Sequence, residues 1–289
     1  MTDITRFALL TLCGAVLCGA QAIEPEAIIY RKVGERELKA WVFSPAAGNK
    51  RPAILLFHGG AWNLGEASWM FGRAREFAAL GMVAIAIDYR LSAGGAAPLA
   101  INAGLTPVDG VEDACAAFAW ARGEAVKLGI DPKRVAGYGV SAGGHLVAAA
   151  ATVPMVRGTQ VAADSRPDAL LLFSPALNVA RDPYFVGLMA GKGNAEEYSP
   201  AEFISRDLPP TLVIQGAEDS IVSTKDARAL CDAAEKAGAK CSLHVYPGVG
   251  HLLTRNLKVQ FRDFDPDPAF AAEGHRLEDE FLVSLGFVK

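Results

Sequence analysis

Between Val135 and Thr152 the chain passes from a short apolar stretch through Gly139-Val140-Ser141-Ala142-Gly143 directly into a helical pattern, with no spacer on either side of the serine. A strand that turns into a helix within so few residues holds its central residue in a strained turn. Glycines on either side let the two elements approach without an intervening Cβ. Such a junction requires a sheet whose strands lead straight into helices, and the remaining sequence supplies one. Ala53 to Phe57, Met82 to Ile87, Val135 to Val140, Ala169 to Phe173, Thr211 to Ile214 and Ser242 to Tyr246 are short apolar runs that suit strands covered on both faces. Between them, helical patterns run over Ala67 to Leu80, Val111 to Leu128, Ala142 to Thr152, Thr224 to Ala237 and Ala269 to Leu285. This alternation predicts an α/β fold: a mostly parallel, doubly wound sheet with right-handed crossovers and helices on both faces. Ala27 to Val33 and Leu38 to Phe43, joined across Gly34-Glu35, predict an antiparallel hairpin on the sheet edge.

Two stretches are longer than connection alone needs. Leu91 to Pro107 is rich in Gly, Ala and Pro, and Ala176 to Pro210 carries Pro183-Tyr184-Phe185 and Gly191-Lys192-Gly193-Asn194. Ligands of open α/β sheets bind beyond the carboxyl ends of the strands, so both stretches are expected to wall a site.

Ahead of the first strand, Arg6 is followed by an apolar segment from Phe7 to Leu17 and then by Ala20-Gln21-Ala22. A basic residue, a short apolar stretch and an Ala-x-Ala ending predict a secretory signal peptide over residues 1–22, cleaved after Ala22, with one domain over 23–289. The apolar segment is too short to remain as a membrane anchor. Export bears on the cysteines that follow the leader. Cys231 lies in a helical pattern and Cys241 opens the strand after the Gly238 turn, so a Cys231–Cys241 disulfide is expected, worth about 3 kcal/mol. Two separate buried thiols are the alternative. Cys115, among Ala and Phe, reads as a small buried hydrophobe. No His or second Cys pair stands at ligand spacing, which disfavours a metal. The charge balance excludes one more class: Lys and Arg total 28 against 32 Asp and Glu, and no basic run exceeds two residues, so nucleic acid is not an expected partner.

A neutral serine hydroxyl is a weak nucleophile, so Ser141 needs a base to take its proton and an acid to orient that base. Thr211 to Asp219 supplies a strand, the Gly216 turn and an acid. Asp219 is preferred over Glu218 because Ser220 and Ile221 lead into the apolar Val222, which would dock the loop and aim the preceding carboxylate inward. Five histidines compete for the role of base. His251 follows the last strand through Tyr246-Pro-Gly-Val-Gly250, where a general base belongs. His244 alternates within a strand, His145 reads as a structural helix residue beneath the serine, and His275 lies on the polar face of the last helix. His58 ends a strand and opens His58-Gly59-Gly60-Ala61-Trp62, where two glycines permit a turn that a side chain would forbid. The N–H groups of Gly60, Ala61 and Ala142 are the expected donors to a developing oxyanion, each worth about 3 kcal/mol. Taken alone, Ser141 could be a helix cap and the glycine loop a plain turn. Their coincidence with an acid and a base in the right order favours a site.

These segments resemble the α/β-hydrolase superfamily, and within it the secreted esterase and lipase-like branch with an HGGGW-type loop. The likeness runs through His58 to Trp62, Asp88-Tyr89-Arg90-Leu91, Asp113 to Trp120, Leu128 to Pro132, Gly139 to His145, Ser199-Pro200, Gly216 to Asp219 and Gly250-His251. It covers nearly the whole chain after the leader. Ala61 departs from it, standing where many relatives have a third glycine; its N–H survives and the pocket beside it is narrower. The resemblance implies hydrolysis of carboxylic esters through an acyl-enzyme on Ser141, with no cofactor. The implied substrate is a small-molecule or oligosaccharide ester, and similarity to acetylxylan and feruloyl esterases points to acyl esters of plant polysaccharide. No long apolar lid of the kind that covers lipid substrates is found, which favours a short acyl group. Two rival activities share the machinery: arylformamide hydrolysis, and peptidase activity of the prolyl-oligopeptidase type, for whose propeller 289 residues leave no room. A non-catalytic binding protein of the same fold would have lost Ser, His or acid, and all three are present.

Overall fold

A computed structural model describes residues 23–45, 48–93 and 102–289. The expected signal peptide and the centre of the 91–107 stretch lie outside the described residues. The described residues form strands β1 (Glu26–Val33), β2 (Arg36–Phe43), β3 (Arg51–Phe57), β4 (Val83–Ile87), β5 (Ile130–Val140), β6 (Met155–Val156), β7 (Thr159–Gln160), β8 (Ala169–Phe173), β9 (Thr211–Gly216) and β10 (Cys241–Tyr246). Eight of them form one sheet in the order β1-β2-β4-β3-β5-β8-β9-β10, while β6 and β7 make a separate two-stranded ribbon. The expected hairpin is present at the sheet edge: β1 pairs antiparallel with β2 and β2 antiparallel with β4, and the other strands of the sheet pair in parallel.

The apolar runs become the fully covered central strands. Every residue of β4, β8 and β9 is buried. Strand geometry sends alternate side chains to opposite faces, and β3 divides its residues accordingly: Leu55 and Phe57 join one core, Ile54 and Leu56 the other. The first core is completed by helices α2 (Pro107–Gly123), α4 (Ala142–Thr152) and α6 (Thr224–Ala237), the second by α1 (Phe71–Ala79) and α7 (Pro268–Ser284). Ala148, Ala149, Ala150 and Ala151 in α4 are buried, and these small side chains let the helix lie close to the sheet centre.

Three patterns resolve differently from their sequence reading. The helical run predicted over Val111 to Leu128 begins earlier, at Pro107, because Thr106 and Asp109 form a capping box around a proline suited to the first turn. It then divides at Glu124 into α2 and the short α3 (Ala125–Leu128). The run from Ala67 opens as a 3-10 turn before becoming α1. The 176–210 stretch contains α5 (Pro183–Met189), whose cap Asp182 accepts the N–H of Tyr184 at 2.9 Å. Cys231 on α6 and Cys241 at the head of β10 are joined, with Cα atoms 5.1 Å apart. Cys115 is a free thiol whose pKa burial pushes up to about 12.

Candidate active site

The turn at Ser141 is built by close packing. Ser141 has φ 53° and ψ −116°, a strained conformation for a residue with a side chain, costing about 1–3 kcal/mol. Its N–H donates to Phe173 O at 2.9 Å, and its carbonyl accepts His145 N–H at 3.1 Å and Ala176 N–H at 3.3 Å. A Cβ on Gly143 would lie 2.1 Å from Phe57 O, and one on Gly139 would lie 2.5 Å from Gly143 O. Glycine is therefore demanded where β3, β5 and α4 converge, and the serine is carried at that junction.

The loops after β9 and β10 bring two further side chains to it. His251 Nε2 lies 3.0 Å from Ser141 Oγ, and His251 Nδ1 lies 2.9 Å from Asp219 Oδ2. A carboxylate only accepts, so Nδ1 carries the hydrogen and Nε2 presents its lone pair to the serine hydroxyl. Asp219 Oδ1 accepts the N–H groups of Ile221 at 2.9 Å and Val222 at 3.0 Å, and Gln215 Nε2 donates to Oδ2 at 3.3 Å. Glu218 turns away, its Oε2 accepting Gly248 N–H at 2.9 Å. An alcohol, an imidazole and a carboxylate in one hydrogen-bonded line can move the alcohol proton as its oxygen attacks an electrophile.

The glycine loop after β3 runs beside this line. A Cβ on Gly59 would sit 3.3 Å from Ser141 Cβ. Gly60, Ala61 and Trp62 have successive φ values of 120°, 50° and 62°. At Gly60 a Cβ would strike Leu64 O at 2.2 Å, while Gly60 O accepts the N–H groups of Asn63 and Leu64 at 3.1 and 2.9 Å. Ala61 holds a left-handed conformation that costs an L-residue about 1–2 kcal/mol. Ala142 is the first residue of α4, so its N–H has no partner one turn earlier in the helix.

Two other histidines hold the loop. Trp62 Nε1–H donates to His145 Nδ1 at 3.0 Å, so His145 Nε2 carries the hydrogen given to Tyr198 O at 2.9 Å. Burial pushes the His145 pKa down to about 4. His58 donates from Nδ1 to Gly59 O at 2.6 Å and stacks on Tyr89 with ring centroids 4.4 Å apart; burial lowers its pKa to about 4. The next residue, Arg90, binds Asp113 at 2.8 Å and Asp109 at 3.0 Å, fastening the Tyr89 segment to α2. His244 is exposed on β10 and His275 half-exposed on α7, both remote in role from the line of three.

Sequence reading missed Gln260 and Ser174. Gln260 is buried; its Oε1 accepts the N–H groups of His251 at 2.9 Å and Ser220 at 3.0 Å, and its Nε2 donates to Glu218 O at 2.8 Å. Ser174, at φ 46°, accepts Leu252 N–H on its Oγ at 3.1 Å. A lone polar residue in an irregular stretch has neither period nor spacing to mark it. The 176–210 stretch lines a cleft of about 290 Å³ with the loop after β9, through Leu177, Asn178, Arg181, Ile221 and Asp226 among others, and the lining does not include Ser141, Asp219 or His251. Among the described residues, no group of three or more His, Cys, Asp or Glu is disposed to hold a metal ion, and no helix is long and apolar enough to cross a membrane.

Comparison with known proteins agrees with this architecture. The chain is 34% identical over 119 residues to an arylesterase of Saccharolobus solfataricus, covering 41% of this chain and 36% of that protein. It is 30% identical over 203 residues to the probable carboxylic ester hydrolase LipM of Mycobacterium tuberculosis, covering 63% and 44%. The chain thus spans less than half the length of these two curated relatives. Among solved structures, esterase 2 of Thermogutta terrifontis, phosphoramylated by tabun, superposes with a TM-score of 0.79 at 30% identity, covering 93% of this chain and 97% of that one. A propionate-bound form of the same enzyme gives 0.78 at 30% identity, covering 93% and 97%. Residues 54–190 match the family described as alpha/beta hydrolase fold. With that match, the eight-stranded sheet and the serine at the β5–α4 turn, the chain belongs to the α/β-hydrolase family.

Proposed function

We propose that this chain is a serine carboxylic ester hydrolase acting through an acyl-enzyme on short-chain acyl esters. The observation that carries the reading is the continuous line from Ser141 Oγ through His251 to Asp219, with contacts of 3.0 and 2.9 Å. Ser141 Oγ attacks the ester carbonyl while its proton passes to His251 Nε2. The tetrahedral oxyanion is met by the N–H groups of Gly60, Ala61 and Ala142. Collapse breaks the bond to the alcohol, which leaves with the proton from His251. Water then gives a proton to His251 and attacks the acyl-enzyme, releasing the acid and restoring the serine. Asp219 keeps the imidazole in the required tautomer and stabilises its cation.

The propionate-bound esterase supports a short acyl group, and the esterase relatives support the ester bond. Similarity of the His58 to Trp62 loop to acetylxylan and feruloyl esterases extends the reading to acetyl and feruloyl esters of plant polysaccharide. The leader pattern and the Cys231–Cys241 disulfide support a secreted or periplasmic enzyme. The chain from residue 23 onward is expected to hydrolyse a short-chain aryl acetate, to lose that activity in Ser141→Ala, and to be labelled by an organophosphonate on Ser141. Activity surviving in the variant, or labelling at another residue, overturns the mechanism. Release measured side by side from acetylated xylan, a feruloylated oligosaccharide and formylkynurenine separates the polysaccharide ester reading from arylformamide hydrolysis.

A further inference from the structure

The segment from Thr254 to Asp267 closes on itself. Thr254 and Pro266 form an antiparallel bridge, and Arg255 N–H donates to Asp265 O at 2.9 Å. The Arg255 guanidinium grips the Asp265 carboxylate at 2.7 and 3.1 Å, and Asn256 Nδ2 reaches Asp263 Oδ2 at 2.8 Å. Gln260 pins the far end to the loops carrying Asp219 and His251. Although polar contacts order this loop throughout, its apolar side chains Leu257, Val259, Phe261 and Phe264 are exposed, Phe264 by 44%. Phe264 stands against the imidazole, its ring centroid 6.3 Å from that of His251.

The consequence rests on the ester hydrolase reading. His251 passes its proton from Nε2 to the leaving oxygen, which requires a contact of about 3 Å. The group carried by that oxygen therefore lies beside the imidazole, and Phe264 is an exposed ring standing next to that imidazole. We infer that Phe264 forms the wall of the leaving-group subsite and selects esters whose alcohol carries an aromatic ring. Arg255 is engaged with Asp265 and Asn256 with Asp263, and beside the imidazole the loop presents the ring of Phe264. Offset or edge-on contact between two rings adds to simple burial.

Phenyl acetate and ethyl acetate share an acyl group and differ only in the alcohol, so they isolate this subsite. The ratio of their kcat/KM values is measured in the unmodified enzyme, in Phe264→Ala and in Phe264→Trp, with acetylated xylan as a third substrate. Intrinsic reactivity cancels when each variant is compared with the parent. The phenyl-to-ethyl ratio is expected to fall about three- to tenfold in Phe264→Ala, chiefly through KM for phenyl acetate, and to recover in Phe264→Trp. A ratio that holds while both rates fall together makes Phe264 a mere support of His251, and an equal loss on acetylated xylan makes the wall a sugar platform; either result overturns the inference. Activity that survives Ser141→Ala instead overturns the ester hydrolase reading, and the ratio does not depend on that outcome.

Discussion

Gln260 Oε1 accepts the backbone N–H of His251 at 2.9 Å, and the same oxygen accepts the N–H of Ser220, next to Asp219, at 3.0 Å. One buried amide thus ties the loop carrying His251 to the loop carrying Asp219. Gln260→Leu would leave both N–H groups without this acceptor and let the loops drift. Small misplacements of reacting groups are costly, so kcat is expected to fall on the order of 10- to 100-fold with KM little changed. Gln260→Glu retains an acceptor but sets an oxygen against Glu218 O, which Gln260 Nε2 meets at 2.8 Å, so a loss of kcat of the same kind is expected there too.

Asp219 and Glu218 are neighbours with opposite assignments. Asp219→Asn presents an amide where a carboxylate accepts from His251 Nδ1, favouring the wrong tautomer, and kcat is expected to fall by about 10⁴. Glu218→Gln can still accept Gly248 N–H and is expected to remain within a fewfold of the parent enzyme. Steady-state kinetics on one aryl acetate distinguishes the two, and a reversed pattern would exchange their roles.

The buried histidines make the fold acid-sensitive. His145 and His58 titrate near 6.5 when unfolded, and burial holds both at about 4 in the folded chain. Between those values the unfolded state binds more protons, so stability is full above about pH 6.5 and declines as pH falls toward 4, with a slope of about 1.4 kcal/mol per pH unit for each group. Glu278, raised by burial from 4.5 to about 7, acts with the opposite sign, its contribution being lost as pH rises through that range. Asp88 and Asp113, also raised by burial, act in the same sense as Glu278, so the part due to His145 is isolated by substitution. His145→Gln keeps an acceptor for Trp62 and a donor for Tyr198 without the titration. Urea unfolding from pH 4.5 to 7.5 is expected to show a shallower acid decline in that variant, and an unchanged slope would mean that His145 titrates normally.

The disulfide ties α6 to the head of β10, at the opposite end of that strand from the His251 loop. Reduction, or Cys231→Ala with Cys241→Ala, is expected to lower stability by about 3 kcal/mol, read from urea midpoints with and without reductant. Hydrolysis at 25 °C is expected to persist, because the contacts of His251 are made by Gln260, Asp219 and Ser141, not by either cysteine.

Periodicity made the sheet and its long helices legible. The bounds predicted for Ala142 to Thr152 and Thr224 to Ala237 coincide with α4 and α6, where small or amphipathic patterns end cleanly at Val153 and at Gly238, which has φ 83°. Val222, on which the preference for Asp219 over Glu218 rests, is buried and gives its N–H to the Asp219 carboxylate. Helix α5 was not legible, since seven residues are too few to display a period, although Asp182-Pro183 is a capping signal in its own right. Ala61 was read for its effect on the pocket, whereas its φ of 50° shows a backbone cost as well. The order of the 254–267 loop was out of reach because its pairs, such as Arg255 with Asp265 and Asn256 with Asp263, follow no repeating interval.

That loop also constrains how such an enzyme can diverge. Because Thr254 and Pro266 already stand side by side, the segment between them could lengthen or shorten at small closure cost, as surface loops ordinarily do. Here the same segment carries Gln260, which holds the backbone of His251, and Phe264, which stands beside its imidazole. An insertion or deletion in this segment is therefore expected to disturb the position of His251 unless it returns an acceptor to the place of Gln260.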